Sequence, residues 1–268
     1  MNKNVLVIAG SSQIGLEAVK LLLKSGFNVY LTSRSTVDLE HEHLYKYSLD
    51  VCSNDSFDEL FNKISSLKFR AIVNNAGCVV ATPVEFLDEH ELNRQLDVNL
   101  FGLLRVIKKF AQLLDKNGRI INISSMASYG VYPFLSPYCL SKAAADVLLR
   151  AFSNETGIKY VSIRPGAIKT KFWTDSIEQN QNNFKNFMQK YEKVGHYMLE
   201  NAQKNAKDAL EPYYVGKAVF DSVVKDNPKS VINVGLDAKI CAFASKYLSE
   251  SLVNKIVRTS LKLKSNEK

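Results

Sequence analysis

Val5 to Ala18 read VLVIAGSSQIGLEA. The opening run, VLVIA, is a short apolar stretch ending at turn residues, as in a strand buried on both faces. The overlapping stretch GLEAVKLLLKSG places apolar residues at helical spacing and is closed by Gly26. Between the two lies a tight polar corner. It is short of glycine, and Gln13 stands where a glycine is expected. Whether it is a ligand loop or only a strand–helix corner depends on the rest of the chain.

Beyond Gly26 the same alternation repeats. NVYLTS is a second strand, SFDELFNKISSL is helical with Phe57, Leu60, Phe61 and Ile64 on one face, and FRAIVNNAG is a strand ending in a polar turn. HELNRQLDVNLFGLLRVIKKFAQLL is a long helix, GRIINISS a strand, and SPYCLSKAAADVLLRAFSNET a helix closed near Gly157. IKYVSIRPG and KSVINVG supply the last strands. Such alternation predicts an α/β fold, a doubly wound parallel sheet with helices on both faces. Sheets of this kind bind ligands beyond the carboxyl ends of their strands. The informative turns are therefore Gly10–Gly15, Ser33–Arg34, Asn74–Gly77, Ser124–Ser125 and Pro165–Thr170. Neither an internal repeat nor a linker divides the sequence, so residues 1–268 are expected to form one unit.

Composition narrows the function classes. The chain has 268 residues, 46% hydrophobic and 23% charged, which is ordinary for a globular protein. No run of eighteen apolar residues is present, so no membrane span is expected, and the strand-like start lacks the pattern of a secretory signal. The cytoplasm is the expected location. The net charge is +8. From Lys239 to Lys268 seven basic residues face two acidic ones, so most of the surplus lies in the tail. A basic stripe with aromatic platforms is missing from the body, and nucleic acid is not an expected partner. Cys52, Cys78, Cys139 and Cys241 show no paired spacing and read as buried free thiols. His41 and His43 read as solvated surface, and no metal is expected.

Two segments stand apart. Residues 171–212 are rich in Asn, Gln and Lys, with Trp173, Phe184, Phe187, Met188 and Tyr191 among them, several at helical spacing. Because the segment comes directly after a ligand-side turn, a helical lid is expected there. Residues 237–268 form an amphipathic extension carrying Ile240, Phe243, Ala244, Tyr247, Leu248, Leu252, Ile256 and Val257. It packs on the body, closes the ligand cleft or lies on an acidic membrane, and packing is the expectation.

The chemistry concentrates in SPYCLSKAA. Tyr138 and Lys142, four apart, share a helix face. An ammonium there is expected to lower the tyrosine pKa from about 10 toward neutrality and so fit it to exchange a proton with a substrate oxygen. Ser125 ends a buried strand thirteen residues earlier and is placed to hold that oxygen. Asn99 sits inside a helix, where asparagine is unfavourable. An interruption of the helix at that point would free a carbonyl for a proton relay.

In order and spacing, NNAG, Asn99, ISS, YCLSK and RPGAIKT resemble the short-chain dehydrogenase/reductase family, in its single-domain branch, over residues 4 to 236. The resemblance implies a Rossmann fold and the catalytic set Asn99, Ser125, Tyr138 and Lys142. Tyr138 is then the general acid or base. Lys142 tunes it and binds the nicotinamide ribose, Ser125 orients the substrate, and Asn99 supports a water relay. The same likeness puts Asn75, Ala76 and Gly77 beside the adenosine, Asp50 and Val51 against the adenine, and Pro165, Gly166, Ile168 and Thr170 around the nicotinamide. The corner Gly10, Ser11, Ser12, Gln13, Ile14 and Gly15 becomes the pyrophosphate loop.

The choice of cofactor has a physical basis. An acid about 20 residues past the glycines selects the free ribose hydroxyl of NAD, whereas an arginine suits a 2′-phosphate. Here Ser33 stands in the acid's place and Arg34 comes next, which favours NADP(H). In the loop, the GxGxxG register fails at Ser12. The TGxxxGxG register of the family falls on Ile8, Ala9, Gln13 and Gly15, keeps only Gly15, and leaves Gly10 at a variable position. Backbone amides with the Ser11 and Ser12 hydroxyls remain to meet a pyrophosphate at the helix N-terminus. The Gln13 side chain either narrows the approach or contacts the cofactor.

The expected activity is hydride transfer between NADP(H) and a carbonyl/alcohol pair. The resemblance extends to the hydroxysteroid and retinol dehydrogenase branch, and the aromatic residues of 171–211 suit a small apolar alcohol or ketone. A non-catalytic NADP-binding sensor is the alternative, because fold alone does not give function. The resemblance also implies a homodimer or homotetramer through the helix at Glu91–Leu114 and the one after Tyr138. Residues 239–268 add a peripheral membrane contact as a further expectation.

Overall fold

The computed structural model describes residues 2–179 and 181–260. The side chains of Trp173, Phe184 and Phe187, and the tail 261–268, lie outside the described residues. Among the described residues, seven parallel strands form one sheet: β1 (Asn4–Ile8), β2 (Asn28–Ser33), β3 (Leu44–Ser48), β4 (Phe69–Asn74), β5 (Leu114–Ile123), β6 (Lys159–Pro165) and β7 (Val231–Val234). Their spatial order is β3-β2-β1-β4-β5-β6-β7. The chain winds outward from β1 to β3, then restarts on the other side of β1 at β4.

Strand alternation splits the core in two. Val5, Val7, Val29, Leu31, Ala71 and Val73 turn to one face. There they meet α1 (Gln13–Lys24), through Ala18, Val19 and Leu22, and α8 (Pro212–Val224), through Val215, Val219 and Val223. Leu6, Ile8 and Ile72 turn to the other face. They pack with Phe57, Leu60 and Ile64 of α2 (Asn54–Ile64) and with Val106 and Phe110 of α4 (Gly102–Phe110). Further along that face α5 (Ser136–Thr156) adds Ala145 and Leu149. The edge strand β3 is half-exposed, as its LYKYS sequence requires.

The long helix predicted over 91–114 is broken. An α-helical stretch, α3 (Glu89–Leu96), leads into a wide turn at Asp97–Phe101 in which the Gly102 amide donates to the Asp97 carbonyl, five residues back. Asn99 sits in that turn, and α4 resumes after it.

The 171–212 segment is helical: α6 (Phe172–Gln179) and α7 (Gln181–Asp208), the latter kinked at Tyr191 (φ −124°, ψ 43°). The kink is tied to the body by the Tyr191 hydroxyl donating to Glu85 and by the Tyr191 ring against Phe134. The chain closes with α9 (Leu236–Tyr247) and α10 (Glu250–Ser260). Cys52 is exposed and Cys78 and Cys241 are half-buried, so only Cys139 is the buried thiol expected of all four.

Candidate active site

β1 and β4 leave the sheet in opposite winding directions, so the crevice at their carboxyl ends is the topological switch point where open α/β sheets bind ligands. The corner after β1 lies there. Ala9 has φ +53°, a left-handed backbone that disfavours any side chain, which matches the register that puts a glycine at this position. Gly15 packs on the loop itself: a Cβ there would stand 2.7 Å from the Gly10 carbonyl oxygen. Gly10 is not at a permissive position, because its own Cβ would meet Leu31 at 2.9 Å and Val7 at 3.1 Å. Ser12 caps α1 by accepting from the Gly15 amide (3.1 Å), and Asn75 holds the loop by donating to the Ala9 carbonyl (2.7 Å) and to Ser12 Oγ (2.8 Å). The Ser12 hydroxyl is thus already an acceptor twice over and retains only its proton for a ligand.

At the end of β2 the buried Ser33 Oγ donates to Ser11 Oγ (2.8 Å) and accepts from the Ser35 amide (3.1 Å). Arg34 beside them is exposed, and among the described residues it forms no ion pair. Three hydroxyls and a guanidinium therefore share one rim. The sequence reading named two of the serines and missed Ser35, although the SRS tripeptide shows it. Ala76 turns its side chain into the core and leaves only its backbone for the crevice. Asp50 is occupied in a local turn, accepting from the Cys52 amide (2.9 Å), and Val51 is buried against Gly102.

Gln13 lines the crevice and has a partner within the chain. Its Oε1 reaches across the crevice and accepts a hydrogen bond from the Lys171 amide (3.0 Å), at the foot of α6.

Tyr138 and Lys142 lie on the inward face of α5, both buried. The Lys142 Nζ donates to the Ile123 carbonyl (2.9 Å) and sits 5.7 Å from the centre of the Tyr138 ring. Burial pushes the Lys142 ammonium down to about 8. Burial also raises the Tyr138 hydroxyl well above the usual phenol range, against a smaller lowering by its hydrogen bond with Ser125. The expectation of a depressed tyrosine is therefore corrected. One of the three ammonium donors goes to the Ile123 carbonyl, and burial of the hydroxyl sets the direction of the tyrosine shift. Asn99 is buried behind them: Oδ1 accepts from the Cys78 amide (2.8 Å), and Nδ2 donates to the Cys78 carbonyl and to Ser141 Oγ (both 2.9 Å). Its side chain pins the loop after β4 to α5.

Two cavities meet at this point. One, about 560 Å³, runs from Ser11, Gln13 and Ile14 past Asn75, Gly77 and Lys142 to Pro165, Ile168 and Thr170. The other, about 250 Å³, is lined largely by apolar groups: Met126, Tyr132, Leu135, Tyr197, Met198 and Val257, with the amides of Asn201 and Asn205. Ser125, Tyr138 and Gly166 belong to both. Gly10, Gly15, Ser33, Arg34, Asp50, Val51, Ala76 and Asn99 lie outside the lining of either cavity, as support or at the rim.

Several contributors were not foreseen. Asp237, in the first turn of α9, accepts from the Ala167 amide (2.6 Å) and so fixes the Pro165–Thr170 turn. Asp146, one turn beyond Lys142, is buried and takes Ser124 Oγ (2.9 Å), Ser162 Oγ (2.7 Å) and the Arg164 guanidinium (2.9 Å). The spacing KAAAD carried that signal. The wall formed by Tyr197, Asn201 and Val257 depends on contacts between distant parts of the chain and had no local sign.

The family model for short chain dehydrogenase matches residues 3–181. The chain is an oxidoreductase belonging to the short-chain dehydrogenase family. A 3-amino-tetrahydro-pyrrolizinone reductase from Xenorhabdus hominickii is 29% identical over 263 residues, spanning 92% of this chain and 92% of its own. An NADPH-dependent 1-acyldihydroxyacetone phosphate reductase from Schizosaccharomyces pombe is 31% identical over 182 residues, spanning 62% of this chain and 60% of its own. The solved structure of a short chain dehydrogenase from Burkholderia cenocepacia, in complex with NADP, superposes with a TM-score of 0.74 at 17% identity, over 95% of this chain and 97% of that one. That last likeness is one of fold.

Proposed function

We propose that the chain interconverts a carbonyl and an alcohol on a small apolar substrate, with NADP(H) as the hydride partner and Tyr138 as the proton donor or acceptor. The observation that carries this reading is the shared wall. Ser125 and Tyr138 stand where a polar crevice at the switch point meets a mainly apolar cavity. The residues present fit the cofactor. Ser11, Ser12, Ile14 and Asn75 line the crevice, Gly15 lets the loop close on Gly10 behind them, and Ser11, Ser33, Ser35 and Arg34 form a rim suited to a 2′-phosphate. The NADP complex of the Burkholderia protein and the NADPH dependence in the name of the yeast relative point the same way.

When bound, the nicotinamide supplies or accepts the hydride. The chain's own residues do the rest. Burial keeps Tyr138 protonated at neutral pH, so its hydroxyl is poised to donate to a carbonyl oxygen held beside it by Ser125. Lys142, anchored on Ile123, keeps a positive charge near the ring, which stabilises the phenolate left after donation. Asn99 acts at one remove, by fixing the loop that carries Gly77. The helices α6 and α7 serve as the lid, with Met198 and Tyr197 against the substrate. Exposed Phe101, Leu140 and Val147, on the wide turn and α5, support pairing of two copies across that face. An intact tyrosine, lysine and serine meeting at a substrate-sized cavity favours catalysis over the sensor reading.

The test is a panel of carbonyls and alcohols assayed by NADPH absorbance. Tyr138→Phe is expected to abolish turnover while still binding NADPH, and full turnover by that variant overturns the proposal. Arg34→Ala is expected to lower the preference for NADPH over NADH by about ten- to a hundredfold, the worth of a charge-assisted bond. Tight NADPH binding without turnover on the whole panel would favour the sensor.

A further inference from the structure

The two C-terminal helices leave an apolar stripe in solvent. On α9, Leu236, Ile240, Phe243 and Tyr247 are 74%, 58%, 60% and 62% exposed. Their spacing of four, three and four residues sets them on one face. Leu252 and Ile256 continue the pattern on α10 at 43% and 52%. The opposite face of this pair is already in use. Ala238 is buried, Cys241 meets the Tyr132 hydroxyl at 2.9 Å, and Val257 lines the apolar cavity. The helices are therefore docked on the body with their second apolar face outward. The expectation that they simply pack on the body accounts for half of their apolar residues.

The charges around the stripe identify what covers it. Lys239 and Lys246, seven residues apart, flank it on one side of α9, and Lys255 and Arg258 stand on α10. Asp237, the acid of α9, is turned inward onto the Ala167 amide and offsets nothing at the surface. Counted by sequence, residues 239–268 carry a surplus of five positive charges. An apolar stripe rimmed by lysine is the pattern of a helix lying in the headgroup region of an anionic bilayer. A second copy of this chain is a poorer match, because it brings the same surplus of positive charge against this one.

We infer that α9 and α10 dock the protein on the surface of an anionic lipid bilayer. The stripe enters the headgroup layer and the lysines pair with the lipid charges. This does not depend on the reaction proposed above, but it has a consequence for it. The elements that would touch the lipid also roof the apolar cavity through Val257, so an apolar substrate dissolved in the bilayer lies next to its site.

The experiment is co-sedimentation of the full chain with vesicles of phosphatidylcholine alone and of phosphatidylcholine with roughly one-third phosphatidylglycerol. Pelleting is expected with the anionic vesicles and not with the neutral ones, and it should weaken as salt is raised. Ile240→Glu with Phe243→Glu should cut partitioning by at least about tenfold. Lys239→Gln and Lys246→Gln should each cut it by about fivefold. Absence of pelleting with the anionic vesicles, or equal pelleting of wild type and the Ile240/Phe243 variant, overturns the inference. A drop in sedimentation coefficient for that variant without lipid also overturns it, by assigning the stripe to a second copy. Turnover of a water-soluble carbonyl by the same variant reports separately on the chemistry.

Discussion

Gln13→Ala isolates the tie between the corner after β1 and the foot of α6. The bond from the Lys171 amide to Gln13 Oε1 is 3.0 Å long, and both residues are exposed, so water replaces it when it is lost. Its net worth lies at the low end for a hydrogen bond, about 0.5–1 kcal/mol, or a two- to fivefold change in the local opening equilibrium. The readout is hydrogen exchange of the Lys171 amide, measured residue by residue. Exchange is expected to rise about two- to fivefold in Gln13→Ala, with amides of the central strands unchanged. Gln13→Glu keeps an acceptor at the same reach, places a negative charge at a helix N-terminus, and should restore protection. Unchanged exchange in Gln13→Ala, or equal loss in Gln13→Ala and Gln13→Glu, refutes the tie. If the tie holds, NADPH binding by Gln13→Ala reports on how the lid and the crevice are coupled.

Two further expectations concern the same cleft. Ala9→Gly relieves a left-handed alanine worth about 1–2 kcal/mol and loosens the unfolded chain by about 0.4–1 kcal/mol, so a net gain of about 0.5–1 kcal/mol is expected in urea unfolding, and a loss would contradict the backbone reading. Lys142 titrates near 8 in the fold against 10.5 when unperturbed, so between those values the unfolded chain binds more protons and stability rises with pH. Between about pH 7.5 and 9.5 the wild type should gain about 2 kcal/mol relative to Lys142→Met, and parallel pH profiles would show that the lysine is not depressed.

The sheet was readable because each buried strand is a short apolar run and each crossover helix has a 3.6-residue period. The edge strand LYKYS was harder to read, since half of it faces water and its residues alternate without an apolar block. The crevice was readable from the turns, for a parallel sheet must present its ligand at strand carboxyl ends. What escaped was set by burial and by long separations. The sequence shows a lysine four residues from Tyr138 but not the missing water that drives the tyrosine up and the lysine down. It shows Gln13 as a departure from the family loop, yet the partner that explains the side chain's position is 158 residues away. Gly10 fell at a variable position of the motif, and only the third dimension brought Leu31 and Val7 against it.

The wide turn at Asp97–Phe101 has a consequence for attempts to improve this protein. Gln95, upstream of it, and Asn99, within it, point at the cleft floor: Gln95 accepts from the Val80 amide, Asn99 takes both backbone groups of Cys78, and both reach Ser141. Downstream, Leu103, Val106, Ile107 and Phe110 point at the sheet. The two halves are out of phase, and the extra residue between them lets one rod serve two walls that a regular helix would not face together. Deleting a residue from that turn restores the ordinary ladder and makes a better helix. It also swings the upstream half by about 100° relative to the downstream half. The floor would then lose its asparagine and glutamine together, so stabilising this helix and keeping this cleft are opposed goals.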